Sequence, residues 1–430
     1  MRRVPWILLT LASVFATSAS AETNGVLSVV TYGAVCNGST DDTAHFQAAA
    51  KAAADTYAST GSPVTVVYAG NCVIGGSIRY GSGVHWRGYG LITVPAGTEY
   101  PTFYAINADN VEWDHVDINF IRPYKTSNPY AAGIGWFADS DSAAHYHVKV
   151  TNSRISNSSW GITIVYNNGT GGLTDVEIAN TTITSPAPYT NWDGIHVGGA
   201  VTNTRIHDNT VTNRGDAALA LTSEAGRGIK YTLSGAIIQN NIATQDLVGI
   251  DISGATNVVI SGNFVQATAP TSRAQNPAFR QINYLGNYPI NIHTIGNYFE
   301  SGSGASYTAK IDPMGNQRSW PPLNSTFEKN VIGGPNNPLY VRGSSIVIDG
   351  NTFTLSGGLL TIDYYSPGRV ATSDVLIGTN RWLGDAAIHI GGDSSLIRNI
   401  KMSPQMATGK TAITNGGNVS MIRDSDRDVR

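Results

Sequence analysis

Residues 203–212 read NTRIHDNTVT, and residues 257–266 read NVVISGNFVQ. Each has apolar residues at alternate positions, then an asparagine, then a second short alternation. A period of two is that of a β-strand with one buried face. Asparagine suits a sharp corner, because it tolerates the left-handed backbone and hydrogen-bonds neighbouring main chain. The same form recurs in HVKVTNSRIS, DVEIANTTIT, GAIIQNNIAT, NIHTIGNYFE, STFEKNVIG, SIVIDGNTFT, DVLIGTNRWL and SLIRNIKM. The asparagines are Asn152, Asn180, Asn209, Asn241, Asn263, Asn297, Asn330, Asn351, Asn380 and Asn399, between 19 and 34 residues apart. A fixed core with variable spacing describes one coil with corner loops of different length. No helical repeat fits. The pattern predicts an all-β fold, a right-handed parallel β-helix over 61–404, whose coils bury each other's apolar faces and stack these asparagines into an amide ladder.

The start of the chain differs. Residues 1–21 have Arg2 and Arg3, the apolar run VPWILLTLASVFA and a terminal ASA, the form of a signal peptide cleaved before Glu22. The run is short for a membrane span, and no later segment is long and apolar enough. A secreted or periplasmic protein with no membrane partner is expected. In that setting Cys36 and Cys72 should pair as a disulfide, with Cα atoms about 4.4–6.8 Å apart. Two sulfurs without paired histidines do not make a metal site.

Residues 29–55, VVTYGAVCNGSTDDTAHFQAAAKAAAD, predict a strand, a glycine-rich loop and a helix near 41–55. Ser39 or Thr40 can cap that helix, and Asp41 and Asp42 suit its positive end. Phe46, Ala49, Ala50 and Ala53 share one face, which would cover the first open coil. With VTVVYAGNCVIGGSI (64–78) after it, this stretch resembles the N-terminal cap of the pectate-lyase-like β-helix superfamily, which includes hydrolases, lyases, epimerases and tailspikes. Residues 22–60 thus form an N-terminal strand and cap. Residues 405–430 lose the alternation and end in mixed charges, as a terminal cap or tail.

The strands WGITIV (160–165), DGIHVG (193–198), AALALT (217–222), VGIDIS (248–253) and AKIDPM (309–314) align on their central apolar pair. Ile162, Ile195, Leu219 and Ile250 then face inward. Thr163, His196, Ala220 and Asp251 face outward, and Asp312 is expected to join them. Asp193 and Asp216 enter consecutive strands in one register, with carboxylates roughly 5–9 Å apart. Paired carboxylates, one protonated and one ionised, are the machinery of glycoside cleavage.

This region resembles two hydrolase families. Polygalacturonases carry Asn-Thr-Asp, then Gly-Asp-Asp; here NWD (191–193) and GDA (215–217) stand in their places, with Ala217 for the last aspartate. RGIK (227–230) is similar to their Arg-Ile-Lys, but comes early and carries an extra glycine. The bacterial α-1,3-glucanase and mycodextranase family is closer in texture to DGIHVGGAVTNTRIHDNTVTNRGDAALAL (193–221). The resemblance implies Asp193 as the water-activating base and Asp216 as the acid. It does not supply the third, water-holding carboxylate, which Ala217 lacks; Asp251 and Glu224 are the nearby carboxylates that could substitute.

Sugar rings stack on aromatic faces. Trp136, Trp160, Tyr166 and Trp192 lie on coils up to the pair; Tyr284, Tyr288 and Trp320 lie after it. Trp160, Trp192, His196, Glu224, Arg227, Lys230 and Tyr284 are the candidate substrate contacts. The net charge of −3, with 13% charged residues, gives no footprint for nucleic acid. The expected partner is a polysaccharide or oligosaccharide, with no cofactor. Three classes remain open: a glycoside hydrolase, with transglycosylation as a variant; a uronate lyase or C5-epimerase, which needs a cation such as Arg214, Arg227 or Lys230; and a non-catalytic glycan-binding solenoid.

Overall fold

The computed structural model describes residues 25–421, except 96–99, 122–130, 139–141, 186–191, 227–228, 245, 268–276, 303–304, 314–320, 335–336, 355–358, 365–370, 392–394 and 416–418. Residues 1–24, on which the signal-peptide expectation falls, Arg227 and Trp320 lie outside the described residues.

One coil shows how the sequence winds. Ile195–Gly199 runs along one face, Val201–His207 along a second and Thr210–Thr212 along a third, before Ala217–Thr222 resumes the first face one coil on. The first face is a 13-stranded parallel sheet, and the other two belong to a 27-stranded one. Ile162 pairs with Ile195, Ile195 with Leu219 and Leu219 with Ile250, all fully buried, so the expected inward column is present. The result is a right-handed parallel β-helix. Its pairing continues through Thr411–Asn415 and Val419–Met421, past the point at 405 where the alternation fades.

Thr43–Thr60 is the one α-helix among the described residues, and Phe46, Ala49, Ala50 and Ala53 are its buried face. Phe46 stacks on Trp86 of the first coils at 5.6 Å, so the helix plugs the open end. Ser39 and Thr40 do not cap it: they lie in the short strand Asn37–Asp41. Asp42 occupies the cap position, but its carboxylate turns away to accept from the Val35 and Cys36 amides at 2.7 and 3.1 Å. Cys36 and Cys72 are bonded, with Cα atoms 3.8 Å apart, closer than the usual range. Cys36 sits at a left-handed corner whose carbonyl accepts from the Asn71 amide, which draws the two backbones together.

The amide ladder runs Asn209, Asn241, Asn263, Asn297, Asn330, Asn351, Asn380. Each buried side-chain oxygen accepts from the preceding ladder residue; the Asn241 and Asn263 amides, for example, both donate to the next one at 2.8–3.0 Å. Three asparagines of the repeat fall outside it. Asn152 and Asn180 take the exposed left-handed position one residue earlier, and Ser153 and Thr181 occupy the buried one. Asn399 sits on a different left-handed corner, bonded to Asp374. The corner has two adjacent positions, and asparagine suits both. Replacing Asn263 with alanine orphans the Asn241 amide and the Ile238 carbonyl in the core. Asn263→Ala should cost about 2–4 kcal/mol, since each buried unsatisfied group costs about 1–3 kcal/mol. A urea midpoint no lower than that of Asn152→Ala would count against this.

Candidate active site

On the 13-stranded sheet the outward row reads Thr163, His196, Ala220, Asp251, Arg280, Lys310. Ala220 is small, so it leaves a gap one coil wide between His196 and Asp251. Asp312 is not in this row. It pairs with Ile282, two residues beyond Lys310 in its strand, because the next coil supplies Arg280 opposite Asp251.

Asp193 and Asp216 border the gap, and their registers differ by one. Counting back from the Ile195–Leu219 pair, Asp193 falls beside Ala217 and Asp216 one position earlier. The Ala217 N–H therefore donates to Asp193 Oδ1 at 2.9 Å. Asp193 Oδ2 binds His196 Nδ1 at 2.8 Å, and His196 Nε2 lies 3.4 Å from Glu224 Oε1. Burial opposes a charge on His196, but these two carboxylates outweigh it and push its pKa up to about 10. A side chain at Gly198 would meet both His196 Nε2 and Glu224 Oε1, so glycine keeps this contact open.

Asp251 is nearly buried, accepting from Ser253 Oγ at 2.9 Å and Arg280 Nη2 at 2.6 Å. The same Nη2 is 4.0 Å from Asp216 Oδ1, so Asp216 and Asp251 lie no farther apart than these contacts laid end to end. Asp216 is the most open carboxylate, with 40% of its side chain exposed. Its partly desolvated setting and the charges of Asp193 and Asp251 raise its pKa to about 7, against Arg280 and His196.

The walls carry the aromatics. Trp160 and Trp192 stack at 5.9 Å on the upstream side, and Trp160 and His196 meet edge to face at 5.6 Å. Downstream, a hairpin of Glu224–Gly226 and Ile229–Tyr231 supplies Glu224, and the ammonium of exposed Lys230 lies over Gly286. Tyr284 stands on that turn, 38% exposed, its hydroxyl pKa raised by burial and by the charges of Glu224, Asp251 and Asp193. Trp136 and Tyr166 belong to the core instead: both are fully buried and stack on each other at 6.3 Å. Arg214 is also buried, and its guanidinium is spent on main-chain carbonyls. Arg280 is the site residue that the sequence patterns missed. The outward row, extended one coil past Asp251 to FRQI (279–282), could have found it.

The fold and face define a parallel β-helix with a cluster of carboxylates on the outward face of its 13-stranded sheet. No family model matches the chain, and no curated protein does. Among solved structures it is similar to the catalytic unit of the GH87 α-1,3-glucanase of Streptomyces thermodiastaticus strain HF3-3, at 17% identity and TM-score 0.59 over 95% of this chain and 72% of that one. It is also similar to the A-module of the mannuronan C-5 epimerase AlgE4 of Azotobacter vinelandii, at 14% identity and TM-score 0.51 over 91% and 99%. A family 28 exopolygalacturonase of Yersinia enterocolitica matches at 12% identity and TM-score 0.51 over 92% and 77%. At these identities the likeness is one of fold.

Proposed function

We propose that the protein hydrolyses glycosidic bonds of a neutral polysaccharide outside the cytoplasm. The observation that carries this reading is the trio Asp193, Asp216 and Asp251 around the Ala220 gap, two of them fully hydrogen-bonded and one half-open. Asp216 acts as the acid: it gives its proton to the leaving glycosidic oxygen as the bond to the anomeric carbon breaks. Asp193 takes a proton from water, whose oxygen forms the new bond. Asp251, one coil on, supplies the carboxylate that Ala217 lacks and helps hold that water. Trp160 and Trp192 offer a stacking surface for the sugar.

The charge balance favours hydrolysis over elimination or epimerisation. Four carboxylates (Asp193, Asp216, Asp251, Glu224) face the charges of His196 and Arg280. Such a site repels a polyuronate, whose own carboxylate needs a cation to neutralise it. Arg280 is committed to Asp251, Arg214 is out of reach of solvent, and exposed Lys230 stands over Gly286 on the downstream hairpin, outside the row of carboxylates. The test is incubation with a panel of neutral and acidic polysaccharides. New reducing ends from a neutral member are expected; ultraviolet absorbance from an unsaturated uronate would overturn the reading in favour of a lyase.

Glu224 acts on the chemistry through His196. Glu224→Gln removes one of the two anions holding the imidazolium, so kcat should fall about tenfold, the worth of one charged hydrogen bond. The pH at which His196 deprotonates should drop with it, read by NMR titration of the imidazole, while the alkaline limb stays with Asp216. A change in KM alone, with the imidazole titration unmoved, would make Glu224 a substrate contact instead.

A further inference from the structure

The outward face does not end at Arg280. On the next three coils it carries Lys310 and Asp312, then Tyr340 and Arg342, then Asp363, with Tyr307 at the strand edge. These side chains form one cluster. Tyr307 and Tyr340 rings pack at 4.6 Å. The Arg342 guanidinium sits over Tyr340 at 4.8 Å and the Lys310 ammonium at 5.9 Å. Asp363 accepts from the Tyr340 hydroxyl at 3.1 Å and from Arg342 at 3.4 Å.

Stability is a poor reason for this cluster. Asp312 is 1% exposed, and neither of its oxygens has a hydrogen-bond partner. Only ion pairs hold it, to Lys310 at 3.0 Å and Arg342 at 3.7 Å. A buried ion pair without aligned hydrogen bonds does not repay its desolvation, and apolar residues would serve the sheet better. What Asp312 does is fix two long cations in place. Lys310, Arg342 and Asp363 remain 25%, 18% and 33% exposed on the outward face that carries Asp251 and Arg280. They set donors beside an acceptor, as sugar hydroxyls require, next to the half-buried ring of Tyr307.

We propose that Tyr307, Lys310, Arg342 and Asp363 form a distal subsite for a neutral pyranose unit, on the same cleft face as the catalytic carboxylates. Lys310 is two coils from Asp251, about 10 Å along the axis at the usual strand spacing. A glycan lying along the cleft reaches it with its second or third unit from the cleaved bond. Each cation here already faces a carboxylate, so the subsite selects hydroxyls and not a uronate.

The proposal rests on the glycan-hydrolase reading, and binding and cleavage separate the two. Asp216→Asn serves as the background, probed with an array of neutral α- and β-linked gluco-, manno- and galacto-oligosaccharides and their uronate counterparts. Tyr307→Ala and Lys310→Met are each expected to weaken binding of neutral chains of four or more units by about tenfold, and of disaccharides hardly at all. Should Lys310→Met melt early because Asp312 loses its nearer partner, Tyr307→Ala decides alone. Neutral chains bound undiminished by the variants, or not bound at all, overturn the subsite. Cleavage by the wild type is scored separately: cleavage with undiminished binding removes the subsite and leaves the hydrolase, and weakened binding without cleavage does the reverse.

Discussion

Asp216→Asn is expected to fold like the parent and to lose about 10²–10⁴-fold in turnover, the usual worth of a positioned acid or base. Asparagine keeps the size of aspartate but has no proton to give. Asp193→Asn should lose a similar factor for a different reason. Its amide would turn a donor toward either the Ala217 N–H or His196, both of which now donate to it. The wild-type profile follows from the charge state of Asp216, the acid, which must be protonated. Activity should therefore decline as pH rises through about 7, where that proton is lost. Asp251→Asn removes a like charge and frees Arg280, and both changes favour the ionised form of Asp216. The alkaline decline should then begin at lower pH. A turnover loss in Asp251→Asn comparable with that in Asp193→Asn would identify it as the replacement for the absent aspartate at Ala217. Near-normal turnover in both Asp193→Asn and Asp216→Asn would falsify the assignment, and both should then show a lower melting temperature instead.

The solenoid was legible because its signal is periodic and local. Alternation marks the buried face, and an asparagine marks the corner. The one-residue offset at Asn152 and Asn180 was not legible, because the exposed left-handed position and the buried ladder position both favour asparagine. Only the partners one coil away distinguish them. The outward column could be read directly from aligned strands, which placed His196 and Asp251 in one row. Asp312 stands outside the row because a coil intervenes that the alternation does not announce: FRQI has no obvious alternation, yet it carries Arg280 opposite Asp251 and so brings Lys310, not Asp312, into line. Burial was the least legible property. Trp136, Tyr166 and Trp160 lie near one another in the repeat, but the first two are core and only the third lines the cleft. An aromatic side chain satisfies either environment, so sequence alone gives no preference.

Arg214 illustrates this most strongly, and its replacement should have the largest effect on stability. Its position, two residues before Asp216, suggests a substrate-facing cation. The fold turns it inward. It is fully buried, and its guanidinium donates to the carbonyls of Trp192 at 3.0 Å, Ser159 at 2.7 Å and Asp193 at 2.9 Å. Its own amide donates to the buried carboxylate of Asp246 at 2.6 Å. Burial lowers its pKa to about 10, still charged at neutral pH, and pushes the Asp246 pKa well up. One side chain thus ties three coils together directly beneath Asp193. Arg214→Met leaves four carbonyls, those of Ser158, Ser159, Trp192 and Asp193, and one carboxylate buried without their cation, and should cost about 3–5 kcal/mol, the range for breaking a buried charged network. Adding Asp246→Asn replaces the buried acid that has lost its cation with a neutral amide whose oxygen can still accept the residue-214 amide, so the double variant should recover part of that loss in a double-mutant cycle. Activity should fall together with stability in Arg214→Met, because the main chain carrying Asp193 loses its anchor. Equal urea midpoints for Arg214→Met and the wild type would return Arg214 to the cleft and reopen the role of a substrate-neutralising cation.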